Sequence, residues 1–235
     1  MNMTAKQEWT ERIQKTFNAF SPISFSAYKS KTISPVLKTK STVPHAKNVY
    51  KALELVPFEK VKVVFLGQDP YYQAKGKEPY ATGLAFALNP KILKDTELHR
   101  LKGGKSLRSI FKALTNELGN CPTDTTLTTW AQQGVLLLNS SLTTKRGTPG
   151  AHDRIWRGFL AAVILALNAK KESVSYVLTC KRAKNLLPLI APHHKIYFNY
   201  KHPSRCWRVT NTKGQPVKFF REITKAHAIQ WDISN

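Results

Sequence analysis

Apolar positions along this chain come in two kinds of run. The first is short and nearly unbroken: "VKVVF" at 61–65, "VLLLN" at 135–139, "SVSYVLT" at 173–179 and "KIYFN" at 195–199. Runs of that length predict strands, and "VKVVF" has the continuous apolar character of a strand covered on both faces. The second kind has helical spacing. It covers roughly Thr4–Phe17, a short stretch near His45–Leu53, "LRSIFKALTNELG" at 107–119 and a short segment around Trp130 ending at Gly134. It returns in "HDRIWRGFLAAVILALN" at 152–168, "KRAKNLLPLI" at 181–190 and "KFFREITKAHAI" at 218–229. Ser106 is placed to cap the helix that ends at Gly119. Residues 18–44 carry Pro and Ser and are predicted to be loop. Strands alternating with helices imply parallel pairing through right-handed crossovers. The expectation is an α/β fold, a single three-layer α/β/α domain with a short central parallel sheet. No repeat, linker or low-complexity tract divides residues 1–235, of which 1–44 form an N-terminal helix and loop extension.

Composition supports one domain. The 235 residues are 42% hydrophobic and 10% aromatic, enough for one sizeable core. No apolar run is long enough to span a bilayer, and the first residues lack an apolar signal core. An intracellular protein is expected, cytoplasmic or nucleoid, or in a host nucleus if viral, and not secreted. Cys121, Cys180 and Cys206 form no C-x-x-C pair and are odd in number. That argues for reduced thiols, against a zinc ribbon and against a four-cysteine iron–sulfur cluster.

Charge changes the picture most. Thirty-seven Lys and Arg stand against 14 Asp and Glu, a formal +23. Such an excess repels itself in a compact fold and suits a polyanionic partner, nucleic acid first. A membrane surface is set aside because no strongly basic helix with a broad apolar face is found. The excess is uneven: from Lys170 to Lys225 there are 13 Lys or Arg against Glu172 and Glu222.

Polar residues stand where the predicted strands end: Gln68 and Asp69 after the first, Asn139 at the end of the second. Thr179 and Cys180 follow the third, and His202 and Ser204 the fourth. Open α/β sheets build ligand sites beyond the carboxyl ends of their strands. An Asp, an Asn and a His from different strands can orient a planar heterocycle and act on it. Two decoys fail. "GGKS" at 103–106 has His99 where a phosphate-binding loop needs glycine, and no strand leads into it. His193 and His194 lack the H-E-x-x-H helix of a zinc protease, and no H-x-E with a later P-C-x-x-C marks a zinc deaminase.

Four motifs together go further. Gly67-Gln68-Asp69-Pro70-Tyr71, "GLAFAL" at 83–88, "LLLN" at 136–139 and His202-Pro203-Ser204 resemble, in order and spacing, those of the main monofunctional uracil-DNA glycosylase family. The resemblance covers roughly residues 45–230. It implies removal of uracil from single- and double-stranded DNA without metal or cofactor, by a protein expected to be a monomer. It leaves room for a proteinaceous inhibitor or a replication partner.

Position by position, Asp69 would position the attacking water and support the positive sugar, and His202 would donate to uracil O2. Gln68 would offer its backbone N–H to O2, Tyr71 would exclude the thymine methyl, Phe86 would stack on the base, and Asn139 would read its N3–H and O4 edge. Ser106 and Ser204 would hold flanking phosphates. Three DNA-gripping stretches depart from the family. Gly104-Lys105-Ser106 stands for Pro-Pro-Ser, and Thr179-Cys180 for Gly-Ser. Arg205, Cys206 and Trp207 stand where the family has a proline and an intercalating leucine, so Trp207, aided by Arg205, is expected to act as the wedge. A rival is a basic DNA-binding accessory or polymerase-associated factor that keeps the fold and relies little on catalysis. An unrelated nucleotide-binding α/β enzyme is more distant.

Overall fold

The computed structural model describes residues 3–93, 104–119, 122–199 and 201–231. Five strands form the central sheet: β1 (Val63–Gly67), β2 (Val135–Asn139), β3 (Ser175–Leu178), β4 (Lys195–Asn199) and β5 (Val209–Asn211). Their spatial order is β2-β1-β3-β4-β5. The first four pair in parallel, with Gly67 opposite Asn139, Leu66 opposite Leu178 and Leu178 opposite Phe198. This register brings the carboxyl ends of all four strands to one rim. β5, which runs antiparallel to β4, was not expected. Every residue of β1, β2 and β3 is buried, as helices on both faces require.

Among the helices are α1 (Ala5–Phe20), α2 (Lys105–Leu118), α3 (Asp153–Leu167) and α4 (Phe219–His227). A capping box opens α1, with Thr4 Oγ1 accepting from the Gln7 N–H and the Gln7 side chain accepting from the Thr4 N–H. Trp9, Ile13 and Phe17, spaced four apart, are its buried face. Gly158 lets α3 approach that face, since a Cβ there would lie 2.9 Å from the Phe17 ring. On the other helix pair, Glu117 of α2 accepts from the Phe220 N–H of α4 at 2.8 Å.

Two local expectations need correction. Residues 18–44 are not all loop. Ser24 caps a short helix at Phe25–Tyr28, a wider turn follows, and a second helix runs over Ser34–Leu37 with proline in its first turn. Buried Phe25, Tyr28 and Ile33 hold the segment on the core. Nor does Ser106 cap α2. The cap position is Gly104, and Ser106 lies inside the first turn, buried.

Candidate active site

The loops after β1 and β4 open into a cavity of about 290 Å³, and Asn139 is not among its lining residues. Gln68, Asp69, Tyr71 and Phe86 line it together with His202 and Ser204. Gly67 makes the gathering possible. A Cβ on it would lie 2.4 Å from Asn139 Oδ1 and 3.1 Å from the Phe86 ring, so only glycine lets β1 end beside both. The Ser140 N–H and Oγ both donate to the Gly67 carbonyl, at 2.9 and 2.8 Å. The Ser141 N–H donates to the Gln68 carbonyl at 3.1 Å. The loops after β1 and β2 are thereby tied, and Asn139 is held buried where they meet.

Tyr71 and Phe86 form the walls. The Tyr71 hydroxyl donates to the Phe86 carbonyl at 3.2 Å. Burial pushes the Tyr71 phenol far above its ordinary range, against the opposing pull of the Leu107 backbone, Arg108 and Ser106 at the start of α2. Phe86 has a φ of 68°, the left-handed region that a residue with a side chain enters at a cost. The Ala85 N–H bond to Leu137 O at 2.9 Å and the Tyr71 bond hold it there.

Asp69 follows β1 with its side chain only 5% exposed. Arg182, in the short helix Lys181–Lys184 after β3, places Nη1 3.0 and 2.9 Å from its two oxygens. Gln68 Nε2 donates to Oδ2 at 3.1 Å. The sequence showed Arg182 only as one member of a basic cluster.

His202 sits half-buried across the cavity. The Ser204 N–H donates to His202 Nδ1 at 3.2 Å, and the Ser204 hydroxyl is 2.9 Å from the same atom. An Nδ1 that accepts from an amide carries no proton, so the neutral ring bears its hydrogen on Nε2. Burial lowers the His202 pKa, Asp69 pulls it up, and Arg205 pushes it down. The net effect favours a neutral imidazole with one N–H to donate. Asn199, at the end of β4, supports this loop: Nδ2 donates to the carbonyls of Lys201 (2.5 Å) and Cys206 (3.1 Å), and Oδ1 accepts from the Arg208 N–H at 2.7 Å. Neither Arg182 nor Asn199 had a local sequence signal, because each acts on partners the fold brings to it.

The residues expected to grip DNA divide. Lys105, Ser204 and Arg205 are exposed. Ser106 is buried at the cavity edge. Thr179 is buried and spends its hydroxyl on the Leu66 carbonyl at 2.8 Å. Cys180 is buried too, its Sγ accepting from the Ala183 N–H at 3.3 Å, and burial raises its thiol pKa. Both brace the strand end instead of facing outward. Cys206 is half-buried. Trp207 stacks on Phe65 (centroids 5.8 Å, planes 10° apart) and on Phe220 (5.7 Å, 23°). The indole is thus turned into the core and is not presented to a base stack, contrary to the expected wedge.

A mostly parallel sheet with an aromatic and polar cavity on its carboxyl rim defines an α/β domain with a binding site at its strand ends. The profile of the uracil DNA glycosylase superfamily matches residues 54–226, and the chain belongs to that family. A uracil-DNA glycosylase of Alkaliphilus metalliredigens is 38% identical over 170 residues, covering 71% of this chain and 69% of its own. One from Anoxybacillus flavithermus is 30% identical over 236 residues, covering 98% and 97%. Among solved structures, the mimivirus uracil-DNA glycosylase superposes with a TM-score of 0.74 at 26% identity, over 93% of this chain and 82% of that one. A single-substitution variant of the mimivirus enzyme, solved in complex with UGI, gives the same TM-score over 95% and 86%.

Proposed function

We propose that this protein is a uracil-DNA glycosylase that excises uracil from DNA and so starts base-excision repair. The observation that carries the reading is the pairing, across one base-sized cavity, of the Asp69 carboxylate with an Nε2–H donor on His202. Breaking the bond between C1′ and N1 leaves the electron pair on the base, where it collects at O2, and leaves the sugar cationic. A donor aimed at O2 supports the first and a fixed carboxylate supports the second. Water adds at C1′, one proton reaches the base, and the reaction balances with water alone. A base inside a duplex must first be extruded, and the aromatic walls then receive it. The exposed Lys105, Ser204 and Arg205 supply sequence-independent contacts to phosphate. Arg205 and Cys206 form the tip that enters the vacated space, with Trp207 as its anchor.

The working form is a monomer on DNA. A protein inhibitor of the kind bound to the mimivirus relative is a fitting partner. Among the described residues no helix is long and apolar enough to cross a membrane. A non-catalytic accessory is disfavoured, since it would have no use for a strained Phe86 in the wall of such a pocket.

Release of free uracil from a single-stranded uracil oligonucleotide in EDTA is the test. Turnover in chelator is expected; no release, with or without added magnesium, would sink the reading.

Tyr71 carries a second prediction. Its ring fills the cavity wall where a methyl at C5 would go, and steric exclusion is the stronger route to rejecting a larger base. Tyr71→Ala should release thymine from T-containing oligonucleotides at a measurable rate while losing roughly a hundredfold or less on uracil. A variant active on uracil yet blind to thymine would remove the filter from Tyr71.

A further inference from the structure

Asp69 raises a question that the base pocket does not answer. A carboxylate buried to this degree needs a countercharge, because an unpaired ion in a low-dielectric site neutralises or forces the site open. Its countercharge is Arg182, and Arg182 is itself held. Its Nε lies 2.5 Å from Asp153 Oδ2 at the start of α3. Its Nη2 packs against Gly150, where a Cβ would lie 2.6 Å from that nitrogen. Three segments distant in sequence thus meet at one guanidinium: the loop after β1, the stretch from Gly150 to Asp153, and the short helix Lys181–Lys184 after β3. A guanidinium placed merely to meet phosphate would not need two carboxylates; its side chain is 32% exposed, while those of Asp69 and Asp153 are 5% and 21% exposed.

We propose that Arg182, braced by Asp153, is a positioning residue of the glycosylase centre, supplying the countercharge that lets Asp69 stand as a buried anion and fixing its orientation toward the sugar. This rests on the reading of Asp69 given above. The charged and titratable groups facing Asp69 are Arg182, His152 and Asp153 near the start of α3, and His202 in the loop after β4. Arg182 is the one that makes ion-pair contact with it among the described residues. Removing an adjacent cation makes a carboxylate easier to protonate.

The experiment measures kcat and KM on single-stranded uracil DNA between about pH 5.5 and 9.5, with melting temperature as a control on folding. Arg182→Met is expected to lower kcat near neutrality by about a hundredfold, the loss typical when one preorganised electrostatic group leaves a site. KM should change little. The acid limb of its kcat profile should move to higher pH, so that alkali restores about tenfold or more. Arg182→Lys should fall between the two, with a partly restored limb. Asp153→Asn, which frees one side of the clamp and leaves both ends in place, should show the same signature at smaller amplitude. A raised KM with unchanged kcat would make Arg182 a phosphate contact and overturn the proposal. So would a kcat loss equal at every pH in both Arg182→Met and Asp153→Asn. Asp69→Asn separates the two layers. If it keeps full turnover, the reading of Asp69 falls and the proposal with it. If it is inactive while Arg182→Met matches wild type at all pH, only the role of Arg182 falls.

Discussion

Asp69→Asn is expected to cut uracil release on the order of a thousandfold while leaving affinity for uracil-free DNA nearly unchanged. The substitution keeps the shape of the side chain and removes its charge. The pocket walls at Tyr71 and Phe86 do not rest on Asp69, so base binding should survive. What is lost is an anion beside a sugar that becomes cationic only at the transition state, together with the group that orients water. Losses of this kind appear in kcat and spare the ground state, and positioned acid–base groups are worth about 10²–10⁴-fold. Single-turnover rates on a uracil oligonucleotide, set beside the Kd for the same oligonucleotide without uracil, make the check. Equal losses in rate and binding would count against the role, as would a residual rate within about tenfold of wild type.

His202→Ala is expected to lower turnover by about a hundred- to a thousandfold, again with little change in DNA affinity. Nδ1 of His202 already accepts from the Ser204 N–H at 3.2 Å, so the remaining hydrogen is committed to Nε2 before substrate arrives. A donor fixed in advance needs no reorganisation as charge gathers on O2, and that is the physical basis of the expected size. Asn199 and Trp207 hold the loop independently of the imidazole, so the variant should fold. His202→Gln, which can present an N–H from a similar distance, should recover part of the loss. A drop in melting temperature that tracks the activity loss across both variants would reassign His202 to structure.

The sequence made some parts legible and not others, for local reasons. β1 and β2 announced themselves because strands covered on both faces are apolar throughout, and their ends marked the rim at Gln68, Asp69 and Asn139. β5 did not, because Val209–Asn211 is three residues long, two of them polar, and a strand only through its pairing with β4. The segment at 25–37 was hidden by composition: Ser24 and Pro35 look like loop residues until they are seen as a cap and a first-turn proline. Arg182 was visible as a charge, but its partner lies 113 positions away in sequence, beyond any local pattern. Trp207 was read by its place in a motif, and its neighbours Phe65 and Phe220 decided otherwise. Gly103 of the "GGKS" stretch, and Cys121, fall outside the described residues.

The antiparallel return of β5 gives the His202 loop two fixed feet. Their separation is set by the spacing of neighbouring strands, near 4.8 Å in any sheet. Asn199 closes the loop just above them by holding the carbonyls of Lys201 and Cys206. Between those carbonyls lie His202, whose Nδ1 the Ser204 N–H holds, and the exposed side chain of Arg205, whose charge can change without altering where the chain leaves the sheet. Reach into the duplex and aim at the base therefore become separable traits of one short segment. Such a chain could adapt to a different form of DNA by changing the Arg205 side chain, with the imidazole held beneath it by the Ser204 backbone N–H.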